Sequence, residues 1–304
     1  MRTYRVSSFA KVNLGLTIEG RYEDGFHALS TVMQVVTLAD VLTFTFDQAQ
    51  TSGIRIHAQH AQIPKDQSNL IHRAAEAFSP ELSFDVDLDK RIPLGAGLGG
   101  GSSNAASTLA VLARDKAQMP PDQLPDWRQR CLALGADVPF FIHGGTQHAR
   151  GRGEQLAPLS YSGPYFVILL CPPVHAETGR VYRAYDEMME RTDPGGIGME
   201  EVAKALATGE LDTIWADLPN DLEVPLLTCY PVLKDWREWF GRAVGRVPKL
   251  TGSGASYFVI DADAERAQWQ MSRLKERLPD DDAQLLGARF RSGPGWQIDE
   301  MEEL

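Results

Sequence analysis

Between residues 93 and 106 the chain reads PLGAGLGGGSSNAA, with five glycines in the seven positions from Gly95 to Gly101. Glycine reaches positive φ and lets backbone N–H groups approach a ligand closely. Ser102, Ser103 and the alanine-rich stretch AASTLAVLA follow directly. A glycine loop that empties into a helix N-terminus gathers unpaired N–H donors and the positive end of the helix dipole at one point, which is a phosphate site. A flexible linker is the bland alternative, but linkers do not usually run straight into a strong helix former. The loop is not a P-loop, because no lysine follows Gly100 and Gly101. Gly95, Gly97 and Gly100 satisfy GxGxxG literally and keep a dinucleotide-binding oxidoreductase in view. The preceding Phe84-Asp85-Val86-Asp87-Leu88 alternates apolar and acidic residues, however, which suits a half-solvated strand and not one covered on both faces. The HRD and DFG motifs of protein kinases do not occur.

Other residue types capable of chemistry are scattered. Lys11 and Asn13 share one face of a predicted strand, opposite Val12, Leu14 and Leu16. They read either as a solvated edge or as a holder of phosphate or carboxylate. Phe26 and His27 follow the turn Glu23-Asp24-Gly25, where an aromatic ring and an imidazole can stack on and bond a heteroaromatic base, or simply pack. Asp137 precedes the apolar run Val138 to Ile142 and reads either as a helix N-cap or as a general base in a partly dry site. A second glycine-serine turn, Thr251-Gly252-Ser253-Gly254, enters a strand, and its N–H groups can support the first loop around phosphates. His57 and His60 lack further ligands and read as surface residues.

The elements that must position these residues follow from periodicity. Strands are expected at 4–18, 41–46, from 54, and at 82–88, 165–171 and 285–290. Helices are expected at 70–78, capped by Ser68-Asn69, from Ser102 or Ser103 to 113, and at 126–134, 178–190, 199–208, 231–242 and 263–277. Gly144-Gly145 and the segment 151–154 read as hairpin turns, and the C-terminus as an acidic tail. A soft domain boundary falls near residue 160.

The whole chain sets bounds on these readings. At 304 residues it can hold one large or two ordinary domains. The net charge of −11 without a basic cluster argues against nucleic acid as a partner. Cys131, Cys171 and Cys229 are distant and odd in number, as expected of reduced thiols in a cytoplasmic protein. No 18-residue apolar run suggests a membrane span.

The pattern Pro-x-Gly-x-Gly-Leu-Gly-x-Gly-Ser-Ser-x-Ala, Pro93 to Ala105, resembles the second motif of the GHMP kinases, the galacto-, homoserine, mevalonate and phosphomevalonate kinases. AKVNLGL at 10–16 looks like their first motif and LTGSGAS at 250–256 like their third. DGFHAL at 24–29, NLIHRA at 69–74, GADVPFF at 135–141 and NDLE at 220–223 resemble the branch whose alcohol substrate carries a cytidyl diphosphate. The resemblance implies an α+β fold of two domains. Residues 1–160 would be an ATP-binding domain like ribosomal protein S5 domain 2, and 161–304 a ferredoxin-like domain, with the site between them. It implies ATP-dependent phosphorylation of the substrate's 2-hydroxyl, in the non-mevalonate route to isoprenoid precursors, by a monomer or homodimer that uses Mg²⁺. It also implies roles: Asp137 as base with Lys11 as its cationic neighbour; Pro93, Leu94, Gly95, Ala96, Gly97, Leu98, Gly99, Gly100, Gly101, Ser102 and Ser103 around the ATP phosphates; and Asn69 and Lys90 against the nucleotide. Asn13, His27, Thr178, Gly252 and Ser253 would hold the substrate, and Phe26 and Tyr182 would enclose the cytosine. Ser103 is the candidate contact for a metal. Two positions depart from the family pattern: Phe26 stands where tyrosine is usual, and Phe9 where proline is frequent. A homoserine- or mevalonate-type kinase is the nearest alternative, and the Phe26-His27 pair favours a base-containing substrate over it.

Overall fold

A computed structural model describes residues 1–47, 53–189 and 197–303. Among the described residues, seven strands form one sheet and four form a second. The first sheet is built on two 20-residue strands, β1 (Arg2–Arg21) and β2 (His27–Phe46), paired antiparallel along their length. Both are longer than the sequence pattern suggests. Alternation marks a strand with one wet face, but residues 30–36 of β2 are buried without interruption, so their periodicity is silent. β3 (Ile54–Ala58) lies parallel to β4 (Phe84–Asp89), which pairs with the C-terminal half of β2. The alternation of β4 is real, with Phe84, Val86 and Leu88 buried and Asp87 and Asp89 exposed. The hairpin of β5 (Thr146–Gly151) and β6 (Gln155–Leu159) pairs with the N-terminal half of β2.

Four helices accompany this first part of the chain: α1 (Leu70–Phe78), α2 (Gly100–Leu112), α3 (Trp127–Leu134) and α4 (Val138–His143). Helix α2 starts two residues earlier than its serines suggest, and it is buried almost throughout from Ser103 to Leu112. Its small residues let it lie close against β1.

The second sheet is antiparallel in the order β10–β7–β9–β8: β7 (Phe166–Cys171), β8 (Lys249–Leu250), β9 (Tyr257–Asp261) and β10 (Gln284–Arg289). Helices α5 (Thr178–Met189), α6 (Met199–Thr208), α7 (Glu223–Cys229), α8 (Val232–Val244) and α9 (Ala264–Lys275) belong to this part. One apolar core runs from this sheet through Val181, Leu226 and Phe240 to Val12, Leu14 and Leu16 of β1, so the two sheets share an interior.

The acidic tail is a strand. β11 (Trp296–Glu303) returns to the first sheet and pairs antiparallel with the start of β1, placing Arg5 opposite Glu300. Trp296 and Ile298 pack on the core, while Gln297 between them and the acids Asp299, Glu300 and Glu302 beyond them are exposed. Acidic composition hid the alternation, and basic residues on the facing strand offset the charge.

Candidate active site

The glycine loop is fixed by backbone on both sides. Gly95, Gly97 and Gly99 have positive φ, at 64°, 74° and 71°. A Cβ on Gly97 would sit 2.8 Å from the carbonyl oxygens of both Thr251 and Gly254, so only glycine lets the two turns touch. Gly99 occupies the N-cap of α2 in the left-handed region and offers no side-chain acceptor. The first N–H groups of α2 therefore remain available, at the positive end of its dipole. The Lys11 N–H donates to the Leu98 carbonyl at 3.0 Å, tying the loop to β1. Buried Asp40 secures the entry: it accepts from the Arg91 and Ile92 N–H groups at 2.9 and 2.8 Å and from Lys90 Nζ at 2.6 Å.

Lys11 and Asn13 are not a solvated edge, being 5% and 4% exposed. The β1–β2 register shifts between Phe9 and Ala10 and again between Asn13 and Gly15. Such irregularities re-aim side chains, and here they bracket both residues. Lys11 Nζ donates to Asn13 Oδ1 at 2.6 Å, and Asn13 Nδ2 donates to Thr31 Oγ1 at 2.9 Å. The glycine-serine turn closes over this pair, with Thr251 Oγ1 accepting from the Asn13 N–H at 3.1 Å. Asn220 holds that turn in place by donating to the carbonyls of Leu250 and Gly252, both at 3.0 Å. Burial lowers the Lys11 pKa, and the charge of Asp137 opposes the shift.

Asp137 stands at the N-cap position of α4, but its backbone is helical and its side chain caps nothing. Its carboxyl instead faces a cavity of about 810 Å³ that Lys11, Asn13, Gly97, Gly99, Ser102 and Gly252 also line. Phe26, His27, Tyr182 and Asp186 line the same cavity. His27 stacks on Tyr182 with ring centroids 4.8 Å apart, and its Nε2 lies 2.6 Å from Asp186 Oδ1. Burial pushes the Tyr182 hydroxyl up to about 12, with the Asp137 charge adding to it. A second cavity of about 790 Å³ lies against the other part of the glycine loop, at Pro93, Leu94 and Ala96, and is lined also by Lys90 and His175. The loop is thus a shared wall: an elongated ligand in the second cavity can reach the first across the N-terminus of α2. What the arrangement offers is a phosphate cradle with a buried ammonium, a free carboxylate and aromatic rings in the same cavity.

Residues 69–145 match the GHMP kinases N terminal domain. The 4-diphosphocytidyl-2-C-methyl-D-erythritol kinase of Moorella thermoacetica is 36% identical over 289 residues, spanning 92% of this chain and 98% of that protein. The protein of the same name from Prosthecochloris aestuarii is 36% identical over 280 residues, spanning 90% and 95%. The chain belongs to the 4-diphosphocytidyl-2-C-methyl-D-erythritol kinase family. A crystal structure of a 4-(cytidine 5'-diphospho)-2C-methyl-D-erythritol kinase matches with a TM-score of 0.73 at 32% identity, covering 95% of this chain and all of that one. A homoserine kinase from Cytophaga hutchinsonii matches with a TM-score of 0.68 at 18% identity, covering 97% and 96%, a likeness of fold alone. The GHMP kinase fold expected from the motifs is therefore the fold of this chain, and the dinucleotide-binding alternative is set aside.

Set against this member of the 4-diphosphocytidyl-2-C-methyl-D-erythritol kinase family, the expected site residues divide. Lys11, Asn13, Phe26, His27, Gly97, Gly99, Ser102, Asp137, Thr178, Tyr182, Gly252 and Ser253 line one cavity. Lys90, Pro93, Leu94 and Ala96 line the other. Three of the expected residues already hold partners within the protein. The Ser103 hydroxyl is fully buried between Ser8 Oγ at 2.8 Å and the Gly295 carbonyl at 3.1 Å, so it joins α2 to the first sheet and is not offered to a metal. Asn69 is occupied as a cap: its Oδ1 accepts from the Ile71 N–H at 2.9 Å and its Nδ2 donates to the Pro64 carbonyl at 2.7 Å. Lys90 lines the second cavity with its charge already paired to Asp40. Sequence reasoning missed Asp186, Arg21, Arg152, Arg183 and Thr31, which line the first cavity. No motif marked them, although Asp186 stands four residues after Tyr182, one helical turn on along the same face.

Proposed function

We propose that this chain transfers the γ-phosphoryl group of ATP to the 2-hydroxyl of 4-diphosphocytidyl-2-C-methyl-D-erythritol, a step in making isoprenoid precursors. The observation that carries this reading is the convergence of Lys11 and Asp137 in one cavity that the glycine loop and the stacked His27–Tyr182 pair also line. The nucleoside of ATP occupies the cavity lined by Lys90, Pro93 and Leu94, and its phosphates lie across Gly97 to Ser102 at the start of α2. Both parts of the chain then wall the site: residues up to 160 supply the glycine loop and Lys90, and residues after 160 supply His175 on the nucleotide side and Thr178, Tyr182 and the Gly252-Ser253 turn on the other. The cytosine lies among Phe26, His27 and Tyr182.

Phosphoryl transfer asks the protein mainly for alignment and charge neutralisation. Asp137, free of any capping bond, accepts the proton of the attacking hydroxyl. Lys11 Nζ, held by Asn13, faces the charge that develops on the transferring group. Enclosure strengthens that attraction, because little water screens it. The charge of Asp137 opposes the burial-driven lowering of the Lys11 pKa and so favours the ammonium form.

Among the described residues no group of three or more His, Cys, Asp or Glu is arranged to hold a resident metal ion. That suits Mg²⁺, which is commonly bound through substrate phosphates with few protein ligands. Ser102 is the hydroxyl that lines the cavity beside the phosphates and would contribute an oxygen to it. When bound, the ion would neutralise phosphate charge.

The test is ADP release from ATP with the cytidyl substrate, beside mevalonate and homoserine. Release with the cytidyl substrate alone is expected. Comparable release with either other alcohol would overturn the substrate assignment.

A further inference from the structure

His27 is held from three directions. Tyr182 stacks on its ring at 4.8 Å with 29° between planes, Tyr185 meets it edge-on at 5.8 Å, and Asp186 Oδ1 lies 2.6 Å from Nε2. The side chain is only 8% exposed. A carboxylate oxygen accepts hydrogen bonds and cannot donate one, so Nε2 carries the proton. With the proton on Nε2, the one-proton tautomer keeps its lone pair on Nδ1. That nitrogen has no partner among the described residues, yet it is not among the sealed, unpaired polar atoms. It remains reachable from the cavity that His27 and Asp186 both line.

Cytosine and uracil differ at C4, where cytosine carries an amine and uracil a carbonyl. An Nδ1 lone pair attracts the amine and repels the carbonyl. We propose that Asp186 is a specificity-determining positioning residue, which fixes the His27 tautomer so that Nδ1 accepts from the exocyclic amine of a cytosine base. The inference rests on the substrate reading above and adds the reason the base is cytosine. Asp186 acts through His27 and touches no reacting atom. Arg21, 3.4 Å from Asp186 Oδ2, steadies the carboxylate from its other oxygen.

The experiment compares kcat/KM for the cytidyl substrate with that for its uridyl counterpart, in wild type, Asp186→Ala and Asp186→Asn. Both substrates carry the same diphosphate and the same alcohol. The electrostatic effect of removing a carboxylate therefore cancels in the ratio. Wild type favours the cytidyl substrate. Asp186→Ala reduces that preference about tenfold, the scale of one lost polar contact, through the KM of the cytidyl substrate and with little change in kcat. Asp186→Asn retains most of the preference, because its amide oxygen still accepts from Nε2. An unchanged ratio in Asp186→Ala, with the ATP KM at its wild-type value to show that the site is intact, would overturn the proposal and leave the kinase reading standing. So would a wild-type preference for the uridyl substrate, which would indicate a doubly protonated ring donating from Nδ1. Absence of turnover with either substrate in wild type would remove the kinase reading itself.

Discussion

Lys11 Nζ donates to Asn13 Oδ1 at 2.6 Å, and that bond, not a carboxylate contact, fixes the buried ammonium. The two residues leave the same strand face between two register shifts, and the Thr251–Gly252 turn covers them. The buried ammonium is therefore aimed by a neutral amide, and Asp137 has no hydrogen-bond partner among the described residues.

The first prediction concerns that amide. Asn13→Ala leaves the Lys11 ammonium without its hydrogen-bond partner, and hydrogen bonds to charged groups contribute enough that kcat/KM should fall about 10- to 100-fold. Steady-state ADP release measures this. A change of less than about twofold would mean that Lys11 is positioned by something else.

Asp137→Ala separates a base from a cap. Loss of a general base lowers turnover about 10²- to 10⁴-fold. A lost cap would cost about 1 kcal/mol of stability. Because the Asp137 side chain makes no capping bond, the expected result is a large drop in kcat with an unchanged melting temperature. A lowered melting temperature with full turnover would assign Asp137 to the helix instead.

The pH dependence follows from Lys11. Burial lowers its pKa from the ordinary 10.5. Turnover needs the charged form, so the alkaline limb of the pH–rate profile should begin below that value. Stability moves the other way. The folded chain binds this proton less tightly than the unfolded chain, so the charged lysine subtracts from stability below its folded pKa. That penalty is relieved as pH rises from the folded pKa toward the unfolded one. Lys11→Met should thus be more stable than wild type at neutral pH, with the gap narrowing as pH rises through this window, and should be nearly inactive. Denaturant titrations across pH report the gap, and a gap that widens would contradict the sign.

Gly97→Ala tests the contact between the two turns. The added Cβ meets two backbone oxygens at 2.8 Å and sits at a φ of 74°, so neither neighbour can yield by rotating a side chain. A stability loss above about 1 kcal/mol is expected, together with a weakened ATP affinity, read by denaturation and by nucleotide titration.

Ser103→Ala should affect stability alone. Its hydroxyl bonds Ser8 and Gly295 within the protein, so removal should lower stability by about 1 kcal/mol and leave the Mg²⁺ dependence of turnover unchanged. A raised Mg²⁺ requirement would restore Ser103 to the metal.

The sequence by itself determined the phosphate cradle, because a glycine run before an alanine-rich helix is a local device whose conformations and free N–H groups are set by neighbouring residues. It also determined the alternating strand β4 and the motifs that carry the family likeness. Only the tertiary structure decided which polar residues are free to act. Ser103 and Asn69 have suitable types at suitable positions, but partners distant in sequence use up the Ser103 hydroxyl, and local cap bonds occupy the Asn69 amide. Asp137 reads as a cap and is left unpaired, while Asp186 carries no motif and is brought against His27 by packing of α5 on the start of β2. The long strands and the final β11 were hidden for the same reason: burial on both faces, or charge balanced across strands, erases the periodicity that a single segment would show. Residue type sets what a group can donate or accept, but whether that capacity is already spent depends on neighbours that only the folded chain supplies.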